Sequence, residues 1–228
     1  MTHPDILAAL ARERVNTFLS EEQAARQASA ARVARATRSR ARARGKRVVL
    51  RDGSTVLIKP VSSMDAPLLA DGFARLSPQS RWMRFLGTKT SLSTAELRYL
   101  TDVDHHDHEA IGALSAADGR GVGIARYVRD TNDPRSAEIA VTIVDDWQGR
   151  GLGTELLARL SDRARQAGID RFTALVSTQN AAMAGLLRKL GACPVGRGPG
   201  TVEYEVALLI PPGDPADDQT PQLVSQPC

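Results

Sequence analysis

The stretch of this 228-residue chain whose composition and spacing point to chemistry is Gln148-Gly149-Arg150-Gly151-Leu152-Gly153-Thr154. It follows the apolar run Ile139-Ala140-Val141-Thr142-Ile143-Val144 and opens an apolar-periodic segment from Leu152 to Ala164. A strand that feeds a glycine loop and then a helix makes an anion site. The helix start presents unpaired N–H groups and the positive end of its dipole, and glycines let a phosphate approach the backbone. Two common phosphate motifs are excluded by the spacing. No Lys-Ser or Lys-Thr pair follows, as a nucleotide P-loop requires, and the G-x-G-x-x-G dinucleotide fingerprint is absent.

The loop resembles the Q/R-x-x-G-x-G/A element of the GNAT acyltransferases, which holds the pyrophosphate of acetyl-coenzyme A. Its surroundings resemble the same family. Ala137-Glu138-Ile139-Ala140-Val141 is similar to the strand whose acidic residue serves as base. Phe172-Thr173-Ala174-Leu175-Val176 is similar to the next strand, and Asn180 through Leu190-Gly191-Ala192 to the second coenzyme-contacting helix. The resemblance covers roughly residues 46–210. It implies an α/β protein of the GNAT fold, a mixed central sheet flanked by helices, with acetyl-CoA as co-substrate. Two segments narrow it further. Leu76-Ser77-Pro78-Gln79-Ser80-Arg81-Trp82-Met83-Arg84-Phe85 and Thr101-Asp102-Val103-Asp104-His105 resemble elements of the Pat-type bacterial protein lysine acetyltransferases.

The chemistry follows from what acyl transfer needs. An amine must lose its proton before attacking a thioester, since a free lysine titrates near ~10.4. A carboxylate beside the carbonyl can accept that proton directly or through one water. Glu138 is the candidate base that the resemblance implies, and Glu109, opening a neighbouring strand, is the backup. The developing oxyanion needs a donor, for which the backbone N–H of Ile143 or Val144 is the natural source where the strand splays from its neighbour. Gln148, Gly149, Gly151, Gly153 and Thr154 would hold the pyrophosphate, with Arg150 adding charge, and Asn180 would touch the pantetheine arm. Many GNAT enzymes carry a tyrosine seven residues beyond that asparagine to protonate the leaving thiolate; here the position is Leu187, so no side-chain acid is assigned. His105 would line the acceptor mouth. No metal is expected from His105-His106-Asp107-His108, because contiguous residues approaching a strand alternate sides and converge poorly on one ion.

These residues need elements to hold them. Val48-Val49-Leu50, the Asp52-Gly53 turn and Thr55-Val56-Leu57-Ile58 predict a hairpin. Asp65 to Leu76 is helical in pattern, and Ser77-Pro78 starts another short helix with proline suited to its first turn. Ser93 and Glu96 form a capping box before Leu97-Arg98-Tyr99-Leu100. Strands are expected at about 109–114, 122–128 and 136–144, followed by helix, strand, helix and one closing strand.

Composition bounds the remainder. Hydrophobic residues make up 42% and charged residues 25%, ordinary for a globular protein with a full core. No apolar run approaches a membrane span, no signal-like segment opens the chain, and two cysteines are too few for a disulfide framework. A reducing cytoplasm is the expected home. The charge is uneven: residues 24–47 hold nine Arg and Lys and no acid, against a net +4 for the chain, so the remainder carries about −5. Residues 1–45 are therefore expected to form a basic Ala/Arg-rich arm, helical or disordered, open to an acidic partner or nucleic acid. The Pro- and Asp-rich residues 211–228 are expected to be a disordered tail. Pat-type proteins often carry a cyclic-nucleotide-binding domain beside the catalytic one. About 45 residues precede the domain here, fewer than that needs, so a bare catalytic domain carrying a basic arm is expected, a departure from the Pat-type pattern. The function expected is acetyl-CoA-dependent N-acetylation, of protein lysine by direct attack in a ternary complex. The alternatives are a small-amine acetyltransferase and a non-catalytic acyl-CoA sensor whose basic arm binds nucleic acid or a partner.

Overall fold

The structure, a computed structural model, describes residues 45–208. The expectations for the basic arm and the tail lie outside the described residues. Within them the chain builds one eight-stranded sheet in the order β1-β2-β3-β4-β5-β6-β8-β7.

Strand β1 (Lys46–Val49) and β2 (Thr55–Pro60) form the expected hairpin. Helix α1 (Ala66–Ala74) and helix α2 (Pro78–Phe85) follow. Ser77 caps α2, accepting a hydrogen bond from the Ser80 N–H, with Pro78 in the first turn. Helix α3 (Thr94–Thr101) opens on the predicted capping box of Ser93 and Glu96. Strands β3 (His108–Ser115), β4 (Gly121–Arg129) and β5 (Ser136–Ile143) then pair antiparallel in chain order. Helix α4 (Leu152–Gln166) leads to β6 (Arg171–Ser177), and helix α5 (Ala181–Lys189) to β7 (Cys193–Gly198) and β8 (Thr201–Ala207). The closing segment is a hairpin rather than the single strand expected: β8 pairs with β6, and β7 lies outside it.

Packing fixes which face of the sheet does what. Leu152, Leu156, Leu157, Leu160 and Ala164 recur on one stripe of α4 and are buried against one face. Each of these leucines contributes roughly 1.5–3 kcal/mol by leaving water. The opposite face meets α1, whose close approach needs a glycine. A Cβ at Gly121 would sit 3.2 Å from the Leu68 carbonyl oxygen.

The feature that makes a site is a parting of strands. β5 and β6 are parallel and in register only at Ser136↔Arg171, Ala137↔Phe172 and Glu138↔Thr173. Beyond Glu138 they diverge, and the residues of both strands past that point line a cleft of about 790 Å³. Among the described residues, no helix is long and apolar enough to cross a membrane.

Candidate active site

The glycine loop occupies one end of the cleft. Gly149 and Gly151 adopt φ of 76° and 90°, a left-handed conformation that a side chain strains. Nothing lies within 4 Å of the place a Cβ would take at Gly149, so the backbone there is open. Gln148, Gly149, Gly151, Gly153 and Thr154 all line the cleft at the start of α4. Gln148 is braced, its side-chain amide donating to the Ile143 carbonyl at 3.1 Å. An open cradle of backbone N–H groups at the head of a fifteen-residue helix fits a pyrophosphate.

Arg150 turns away from this cradle. Its guanidinium donates to Asp52 Oδ2 at 2.9 Å and to the Asp146 carbonyl, and it stacks over Trp147 at 4.7 Å. The cation beside the loop is instead Arg51, in the β1–β2 turn, whose side chain packs against Gly151 and lines the cleft. Nothing in sequence spacing relates residue 51 to residue 151; only the fold brings them together. Asn180 lines the cleft from the head of α5 and also caps that helix, accepting from the Met183 N–H at 3.0 Å. Leu187 is fully buried in the core.

Of the two oxyanion donors expected, one is spent. The Val144 N–H donates to the Val122 carbonyl at 3.0 Å. Along an antiparallel ladder the N–H groups that face one neighbour recur every second residue. Val144 and Thr142 therefore face β4, whereas Ile143 and Val141 face the gap between β5 and β6. Ile143, not Val144, lines the cleft.

The two carboxylates separate by the same alternation. Glu138 lies on the cleft side of β5, opposite Val128 and next to Arg126 and Arg84. Glu109 points to the other face and is 1% exposed beneath α4. Its Oε1 meets His105 Nδ1 and its Oε2 accepts from Arg163, both at 2.7 Å. Burial raises its carboxyl, but His105 and Arg163 outweigh that and hold it below the usual range. Glu109 is thus corrected from backup base to a buried strut. His105 is held against it at φ 59° and does not line the cleft, so it is no part of the acceptor wall. His106 pairs with Asp107, while His108 turns to Arg126 at 3.1 Å and to the Tyr99 ring at 5.0 Å.

The acceptor end holds residues that sequence reading had not singled out. Arg84, Tyr99 and Arg126 line it together with Glu138. Burial pulls the Arg126 guanidinium down to about 9, and the like charge of Arg84 adds to that. Burial also lowers Arg84, against the attraction of Glu138 and Tyr99. His108, pushed down to about 3 by burial and by Arg126 and His105, is neutral.

Comparison with known proteins identifies the family. The family described as "Acetyltransferase (GNAT) domain" matches residues 55–192. The acetyltransferase Pat of Mycolicibacterium smegmatis is 34% identical over 179 residues, 78% of this chain and 53% of that enzyme. An acetyltransferase of Pseudomonas aeruginosa is 40% identical over 144 residues, 62% of this chain and 77% of its own length. The crystal structure of the GNAT domain of S. lividans PAT superposes with a TM-score of 0.67 at 29% identity, covering 72% of this chain and 96% of that one. The chain belongs to the GNAT acetyltransferase family, whose members use acetyl-CoA. It spans about half the length of the mycobacterial Pat enzyme.

Proposed function

We propose that this acetyltransferase transfers the acetyl group of acetyl-CoA to lysine side chains of proteins, directly and within a ternary complex. The observation that carries the mechanism is the position of Glu138, the last residue of β5 in register with β6, at the edge of the gap. The pyrophosphate would rest on the backbone of Gln148 to Thr154, with Arg51 adding charge and Asn180 meeting the pantetheine arm. That places a thioester in the gap between β5 and β6. The lysine amine gives a proton to the Glu138 carboxylate, and its nitrogen then bonds to the thioester carbon. The Ile143 N–H receives the oxyanion. The C–S bond breaks and the thiolate leaves unaided by a side-chain acid because thiols titrate near ~8.5, and the extra proton on the new amide nitrogen goes to it.

Protein lysine as acceptor is supported by the likeness to Pat over 179 residues. The test is incubation of the protein with labelled acetyl-CoA and a soluble lysate, with Glu138→Gln run beside it to subtract nonenzymatic acetylation. Glu138-dependent label in protein is expected. Label confined to small molecules would transfer the proposal to a metabolite amine, and coenzyme binding with no transfer at all would make the protein a sensor.

A further inference from the structure

The wall around Glu138 carries more positive charge than its own residues neutralise. Two guanidiniums reach it, Arg84 from the last turn of α2 and Arg126 from the middle of β4. Arg126 is 5% exposed and is fixed by bonds to the Leu100 carbonyl at 2.9 Å and to His108 at 3.1 Å, neither of which is an anion. Arg84 lies over the Phe85 ring at 5.0 Å and is attracted to Glu138 and Tyr99.

The other acids on the cleft lining are committed elsewhere. Glu96 is held by Lys89 and by the Ser93 N–H, and Asp145 by Ser77 and Ser80. That leaves two arginines and one carboxylate, Glu138, where the guanidinium of Arg126 is buried and the like charge of Arg84 repels it. Glu138 cannot serve both guanidiniums and also take a proton from the acceptor amine. A second carboxylate would settle the balance, and paired guanidiniums are suited to bind one through several charged hydrogen bonds.

We propose that Arg84 and Arg126 form a carboxylate-binding subsite in the acceptor half of the cleft, filled by an acidic side chain close to the target lysine in its own chain. The distance sets how close. Arg126 is opposite Ala140, and Glu138 opposite Val128, so the two are diagonal neighbours on one sheet face. Such neighbours are ~7–8 Å apart, which an extended segment covers in about two residues. The acid therefore lies within two positions of the lysine. Its arrival also weakens the attraction of the arginines for Glu138 and leaves that carboxylate to the amine.

This rests on protein lysine being the acceptor, and the experiment separates the two ideas. Full-length protein is given pairs of short lysine peptides that differ only in Glu or Gln within two positions of the lysine, and free α-amino acids alongside their amides. The expected result is a kcat/KM about tenfold or more higher for the Glu peptide, in keeping with charged hydrogen bonds. In Arg84→Met the ratio falls towards one, with acetyl-CoA binding measured separately to show that the variant folds. Equal use of the two peptides by the unaltered protein overturns the subsite, as does a preference that survives Arg84→Met. Untouched peptides, with free amino acids used over their amides, would keep the carboxylate subsite and overturn the protein-lysine reading. Amino acids and amides used alike would overturn both.

Discussion

The two halves of the cleft are built by different means. The coenzyme half is made of backbone: seven consecutive residues, a left-handed turn at Gly149 and Gly151, and the N–H groups that open α4. The acceptor half is made of side chains from α2, α3, β4 and β5, with two arginines set around one glutamate. A backbone cradle tolerates change outside the loop, binds a ligand of fixed shape, and contains no group that titrates near neutral pH. A side-chain wall can be altered one residue at a time, carries charge that must be balanced, and responds to acid. One half therefore suits a ligand of fixed shape, and the other a ligand whose charge must match the wall.

The sharpest division of the two halves is expected from Glu138→Gln. Turnover should fall by ~10²-fold or more, the usual scale for losing a general base, with acetyl-CoA affinity unchanged. Steady-state rates and calorimetric titration of acetyl-CoA measure the two quantities. Turnover within a factor of three of the unaltered protein would remove Glu138 from its role. The reciprocal change is Gly151→Glu. The residue sits at φ 90°, and a Cβ there meets the Arg51 side chain at 3.3 Å. Strain, the displaced arginine and a negative charge beside the pyrophosphate should weaken acetyl-CoA roughly thirty-fold. Unchanged affinity would show that the coenzyme is held elsewhere.

Acid should reach the acceptor half first. His108 is buried and neutral between Arg126 and Tyr99, taking a proton only near pH 3. In the unfolded chain it takes one near ~6.5. Between those values the unfolded state binds more protons, so the native state is fully favoured above about 6.5 and loses stability as the pH falls. At pH 5 the loss is about 2 kcal/mol relative to pH 7. In His108→Gln, which keeps an acceptor for Arg126, denaturant midpoints at pH 7 and pH 5 should lie closer together. Equal pH sensitivity in both proteins would mean that the imidazole is not held neutral.

The same contrast explains what could be read from the chain and what could not. The loop was legible because its chemistry is contiguous: Gln148 to Thr154 lie between an apolar run and a helix. Glu138, ten residues before the loop, came from the resemblance of its strand, and the structure puts it on the cleft lining. Glu109 and His105 were misplaced because a strand residue's face depends on register with its neighbours, which spacing along one chain does not show. Arg51 and Arg126 escaped notice because nothing local marks them, and Arg84 was named within the Leu76–Phe85 segment but given no role; each reaches the cleft only after the sheet has formed. The final hairpin was missed for another reason. Cys193–Gly198 contains Pro194, Gly196 and Gly198, which read as a turn, and such a strand is accommodated only at the sheet edge where β7 lies.

One residue ties the halves together, and it gives the smallest effect but the most informative one. Asp145 stands three residues before Gln148, yet it accepts from the Ser77 N–H and hydroxyl, both at 2.9 Å, and from the Ser80 hydroxyl at 2.7 Å. It thereby fastens the head of α2, which carries Arg84, to the segment that leads into the coenzyme loop. Burial alone would raise its carboxyl, but the serine bonds outweigh that and hold it below the ordinary range. Asp145→Ala should lower stability by about 1 kcal/mol, the scale of a lost cap. Its kinetic signature discriminates more than its stability. If the two halves are coupled through this carboxylate, acetyl-CoA affinity and the KM for the acceptor should both worsen a few-fold, and Asp145→Asn should recover part of each. Were only the acceptor KM to move, Asp145 would be a helix cap and nothing more, and the halves would be independent sites that happen to share a wall.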